Sequence, residues 1–160
     1  MKYRRLRSDE LQELEQEFVK FLAANQVTAD EWEQIKSEDN DKADRLIDIF
    51  SDMIFDRVLE DVEYLEHKAP DDLRAFHFDA EKATMNGLKI EGETDVDLTQ
   101  QQNPQQMMDR LRSSGAQLKL YTAEKAYTDS RKMEIFQLME NGALISRSGA
   151  LYKSLESLKA

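Results

Sequence analysis

A chain of 160 residues, 40% hydrophobic and 34% charged with a formal net charge of −11, is long enough for a hydrophobic core and too apolar to stay unfolded. The absence of cysteine excludes disulfides, thiolate catalysis and cysteine-ligated zinc. Five glycines and two prolines favour helices over a loop-rich β-sandwich.

The acid is concentrated in the first half, where residues 1–72 hold 10 Lys and Arg against 21 Asp and Glu, while residues 73–160 hold 12 of each. Such a surface repels phosphates, so direct nucleic-acid binding is disfavoured and a basic protein partner fits better. The opening MKYRRLRSDEL lacks the apolar run of a signal peptide. No stretch approaches the roughly 18 apolar residues of a membrane span. The expectation is a cytoplasmic protein with no membrane association and no cofactor.

In chain order, the basic segment holding Lys2, Arg4, Arg5 and Arg7 is expected to lie as a tail or strand against the acidic half. Alternatively it is an arm that contacts an acidic partner. Ser8 then caps a helix with Leu11, Leu14, Phe18, Phe21 and Leu22 on its apolar face, ended by Asn25 and Gln26. TADE at 28–31 is a capping-box pattern opening a short helix that buries Trp32 and Ile35.

Residues 41–66 form the longest helical pattern, capped by Asn40 or Asp41. Ala43, Leu46, Ile47, Phe50, Met53, Ile54, Val58, Val62 and Leu65 make one stripe, and Ile49, Phe55 and Leu59 lie on the far side. A helix with two apolar sides is covered on two sides. The expected cover is the ββαβ half of the chain, and an exposed Ile49, Phe55 or Leu59 would await a subunit. Arg57 and Asp61 enter the main stripe four residues apart, as an edge ion pair or as a partly buried polar site.

Beyond Ala69 and Pro70 the pattern changes. Residues 73–78 and 83–91 read as strands, with Asn86-Gly87 marking a bulge or turn, and residues 92–102 as a polar loop. Asn103-Pro104 starts a helix with Met107, Met108 and Leu111 facing inward, stopped by Ser113-Ser114-Gly115. Residues 117–123 form a third strand, making a ββαβ element with a right-handed crossover if its strands are parallel. Thr128 or Asp129 caps a well-buried helix ended by Asn141-Gly142, and a last helix starting near Ser148 buries Leu151, Tyr152, Leu155 and Leu158. The fold class is α+β, predominantly α. A single domain, 1–160, is expected, with an acidic helical half, 1–69, and a mixed half, 70–160.

Three motifs invite chemistry and lack its context. Asp95-Val96-Asp97-Leu98-Thr99 spells the DxDxT of haloacid-dehalogenase-type phosphatases, but KIEGET precedes it instead of a buried apolar strand. Tyr121 and Lys125 have a dehydrogenase spacing without a glycine-rich dinucleotide turn. Glu63 and His67, one turn apart on the expected helix, could touch a metal, but a di-iron bundle needs paired Glu-x-x-His and Tyr64 occupies that position.

The stretches MKYRRL, FLAANQVTADEWEQIK, IFSDM, EYLEH and LYTAEKAYTDSRKMEIFQLMENGALIS resemble a family of short acidic proteins of unknown function from Bacteroidota. The resemblance implies a bacterial, cytoplasmic protein and carries over no functional residue. The leading expectation is a non-catalytic interaction protein docking a larger partner through its acidic helical half, with Asp44, Asp48 and Asp52, or through its basic N-terminal arm, with Arg4 and Arg5. An enzyme with a ligand or metal site at Arg57, Asp61, Glu63 and His67, and an acidic mimic of nucleic acid, are the alternatives. Self-association is compatible with either protein-binding surface.

Overall fold

Glu10 starts the first helix by reaching back to accept a hydrogen bond from the Arg7 backbone N–H at 2.8 Å. The helix α1 (Ser8–Glu13) breaks at Leu14, whose φ of −103° and ψ of 21° are not helical, and α2 (Glu15–Ala24) follows. The single expected helix is therefore two. The bend lets Leu11, Leu14 and Phe18 all pack on one cluster. Thr28 Oγ1 accepts from the Glu31 N–H at 3.1 Å and opens α3 (Ala29–Glu38). Asp39 ends α3 and caps α4 (Asn40–Asp61), its Oδ1 accepting from the Lys42 N–H at 3.1 Å. The cap is thus Asp39 in place of Asn40 or Asp41.

The computed structural model describes residues 1–159, and the chain divides into two units, Met1–Glu60 and Asp61–Ala160. The core of the first unit is Leu6, Phe21, Leu22, Phe50 and Ile54. Phe50 sits between Phe18 and Phe21, with ring centroids 5.0 and 5.4 Å away. Trp32, expected in the core, is only half-buried.

The expected helix of residues 41–66 stops at Asp61, because the next residues find strand partners on both sides. Strand β1 (Tyr64–Ala69) pairs antiparallel with β2 (Asp72–Phe78), from Tyr64 opposite His77 to Ala69 opposite Asp72. Its other edge takes β5 (Leu144–Ser146), with Leu65 opposite Ile145. Leu65 is fully buried there.

Strand β3 (Lys82–Glu91) pairs with β2 and with β4 (Gln117–Ala126), giving one antiparallel sheet of order β4-β3-β2-β1-β5. The three expected strands are present, but all neighbours are antiparallel, so the ββαβ element has no parallel crossover. Asn86 and Gly87 stay in register inside β3 and form neither bulge nor turn. Among the described residues the seven helices and five strands make an α+β fold.

Alternation sorts the sheet's side chains. On one face, Ala75, Asn86 and Thr122 are register partners beneath α7 (Ala150–Ser157), where Leu155 is buried. Further along this face α5 (Pro104–Ser114) builds a second cluster, in which Leu111 and Ala116 enclose Val96 from the connecting loop. Asn103 caps α5 and Gly115 ends it in the left-handed region, as the sequence indicates.

The opposite face meets α6 (Arg131–Glu140), which Ser130 caps in place of Thr128 or Asp129, accepting from the Met133 N–H at 3.1 Å. Arg131 pins the start of α6 by donating to the carbonyls of Val62 and Phe78. Only Ile135 of α6 is fully buried, and Leu158, expected in the core, is exposed.

Candidate functional site

Asp44, Asp48, Asp52 and Asp56 recur every four residues on α4 and so form a row, roughly 6 Å from one to the next. The N-terminal arm lies along it. Asp52 accepts from two backbone groups, the Lys2 N–H at 2.8 Å and the Tyr3 N–H at 3.2 Å. Asp56 accepts from the Tyr3 hydroxyl at 2.7 Å and pairs with Lys2 Nζ at 3.2 Å. Arg5 grips Asp48 with two donors, at 2.6 and 3.2 Å, and reaches Asp44 at 3.7 Å.

Leu6 ends the arm in the core, its N–H donating to Ser51 Oγ at 2.9 Å. Arg4 turns to Glu10, 2.8 Å away, with its guanidinium 5.0 Å from the centroid of Phe55. The Arg4 hydrogen bond is the main cause holding the Glu10 carboxyl down, from 4.5 to about 2. The Arg5 bond likewise lowers Asp48, and burial and then Asp56 push the Tyr3 hydroxyl far above its ordinary range.

Of the five interaction candidates, Arg5, Asp44, Asp48 and Asp52 are therefore engaged where the arm meets α4, and Arg4 is paired with Glu10. The expected cover of the far side of α4 changes accordingly. Phe55 lies beneath Arg4 and the Tyr3 ring, whose centroid is 5.7 Å from its own, Leu59 is buried, and Ile49 remains 57% exposed.

The four polar-site candidates do not converge. Arg57, Asp61, Glu63 and His67 are all exposed, and no hydrogen bond or ion pair joins any two of them. His67 belongs to β1, opposite Arg74, so its helical spacing from Glu63 does not exist. Among the described residues no group of three or more His, Cys, Asp or Glu is placed to hold a metal.

The sequence reading misses a cavity between α2 and α3, about 310 Å³ in volume. Phe18, Val19, Leu22, Val27 and Trp32 line it, and Glu15, Asp30, Glu33 and Lys36 stand around it. Phe18 meets Trp32 edge-on at 5.1 Å, while Lys36 Nζ lies 5.8 Å from the Trp32 ring and pairs with Glu33 at 2.9 Å. Among the described residues no ion pair engages Glu15 or Asp30. The available signal is Val19 and Val27, two apolar residues outside the amphipathic stripes.

The other two motifs, at Asp95–Thr99 and at Tyr121 and Lys125, do not form a site either. Val96 is buried and Leu98 packs beside it, so the alternation turns Asp95 and Asp97 outward, the former onto Arg110 at 2.9 Å and the latter onto the Thr99 N–H at 2.9 Å. Tyr121 packs on Gly87 and donates to Asp72 Oδ1 at 2.5 Å, while Lys125 pairs with Glu134 at 3.3 Å. Burial and then Asp72 raise the Tyr121 hydroxyl, the opposite of what a catalytic phenolate needs.

Over residues 1–160 the chain matches DUF6495, a family of unknown function. It belongs to that family. Neither a curated protein nor a solved structure matches it. Membership in DUF6495 brings no catalytic residue to these positions. No helix among the described residues is long and apolar enough to cross a membrane.

Proposed function

We propose a non-catalytic, cytoplasmic interaction protein of Bacteroidota that docks a basic region of a larger protein through its acidic helical unit. One observation carries this reading: Glu15 and Asp30 keep unpaired carboxylates beside an apolar cavity, while the acidic row of α4 already has its cations. Glu15 and Asp30 are thus available to pair with an arriving cation next to apolar surface. A backbone mimic needs an open row of carboxylates, and the row on α4 carries the arm. A metal or small-ligand enzyme needs converging polar groups, and its four candidates lie apart.

The test is binding of Lys- and Arg-rich peptides to the full chain by calorimetry, at salt low enough that the Debye length exceeds about 10 Å and again at high salt. Binding at low salt that weakens at high salt and in Glu15→Gln/Asp30→Asn supports the reading. No binding at low salt, or equal binding by the double variant, removes it.

A further inference from the structure

We propose that the α2–α3 cavity is an anchor pocket for one large apolar side chain carried on a basic segment of the partner. This deepens the docking reading above and rests on it.

Size fits a single side chain. Apolar cavities of about 150 Å³ accept benzene, and this one measures about 310 Å³. Its aromatic wall is already in place, since Trp32 is braced by the edge-on Phe18 ring, which in turn packs on Phe50 of the core. A preformed wall spares the entropy of ordering it on binding. Val19 is 55% exposed at this cavity, leaving apolar surface for an arriving group to cover.

Charge selects what flanks the anchor. Three carboxylates, Glu15, Asp30 and Glu33, surround the opening against one ammonium, Lys36, which is engaged with Glu33. An acidic or neutral segment gains nothing from Glu15 and Asp30, whereas a lysine or arginine beside the anchor pairs with them. The arm of a second copy is a poor occupant. Its cations are bound along α4, and Leu6 would have to leave the core to release them. The structure thus points to a different chain with a basic surface segment and a protruding Phe or Leu.

Trp32 is the single tryptophan of the protein and lines the pocket, so its emission reads occupancy directly. The probes are tryptophan-free peptides: Lys/Arg-rich with a central Phe, the same with a central Ala, and an Asp/Glu-rich peptide with a central Phe. The expected result is a saturable change in Trp32 emission with the first, about tenfold or more weaker binding of the second, and none of the third. Val19→Lys, at an exposed position, should weaken the Phe peptide by a similar factor while far-UV dichroism stays unchanged.

Equal binding of the Phe and Ala peptides, or an unaffected Val19→Lys, overturns the anchor while leaving salt-sensitive docking standing. Loss of all basic-peptide binding overturns both. Occupancy only by an uncharged aromatic probe, or concentration-dependent self-association that alters Trp32 emission without peptide, also overturns the proposal.

Discussion

Gly87 lies beneath the ring of Tyr121, its partner across β3 and β4, so closely that a Cβ at residue 87 would fall 2.0 Å from Tyr121 Cζ. The ring can therefore reach past the backbone of β3 and donate to Asp72 on β2, linking three strands. Gly87→Ala forces the ring away and should cost about 1–3 kcal/mol in urea unfolding. In a Tyr121→Ala background the penalty should shrink. An equal penalty in both backgrounds would show that the ring is not what the methyl meets.

Gly149 and Gly115 separate steric from conformational cost. Both have positive φ, 66° and 75°, but a Cβ at 149 meets the Tyr64 ring at 2.7 Å and one at 115 meets nothing within 4 Å. Gly115→Ala should lose only the left-handed strain, about 1 kcal/mol. Gly149→Ala should lose clearly more, because Tyr64 is held against His77 and Tyr152 at 4.9 and 5.7 Å. The order of the two thermal midpoints decides it.

The arm makes stability fall in acid. A carboxylate lowered in the folded state contributes stability that is complete above its ordinary value and disappears as pH falls to its folded value. For Glu10 that window runs from 4.5 down to about 2, and Asp48 acts in the same direction. Arg4→Met should return Glu10 toward its ordinary range, read by carboxyl-carbon NMR titration, and remove its share of the acid sensitivity. Wild-type Glu10 titrating near 4.5 would refute the pairing.

Asn86 is fully buried in the sheet and donates to Glu156 Oε2 at 2.7 Å, while its Oδ1 accepts from the Thr122 hydroxyl at 3.2 Å. Asn86→Leu should cost about 1 kcal/mol by removing the hydrogen bonds to Glu156 and Thr122, which are both exposed and can turn to water. Asn86→Asp should be worse at neutral pH, where two carboxylates oppose each other, and recover on acidification as one protonates. Urea midpoints across pH should cross for the two variants. Parallel curves would contradict the assignment.

Legibility follows the range of the deciding interaction. The start of α3 and both ends of α5 are readable because Thr28, Asn103 and Gly115 act on their own neighbours. The end of α4 is not, since Val58, Val62 and Leu65 keep a helical spacing through the point where the chain becomes β1. Pairing with His77 and Ile145, remote in sequence, settles the matter. At the candidate site the aspartate row is visible as a four-residue repeat, and the arm's basic charge suggests its occupant. The cavity is invisible, because Trp32 has the same spacing from Ile35 whether it fills a core or borders a void.

Strand β1 waits for its second neighbour. Its partner β2 follows immediately in sequence, whereas β5 supplies Leu144, Ile145 and Ser146 only near the end of the chain. During synthesis from the N-terminus, the outer edge of β1 stays unsatisfied until those residues emerge, and such long-range closure is slow. An open strand edge recruits other chains. Three residues of β5 therefore decide when the Tyr64–Glu66 edge of β1 is covered, and a chain cut before them would keep that edge free to pair with another chain.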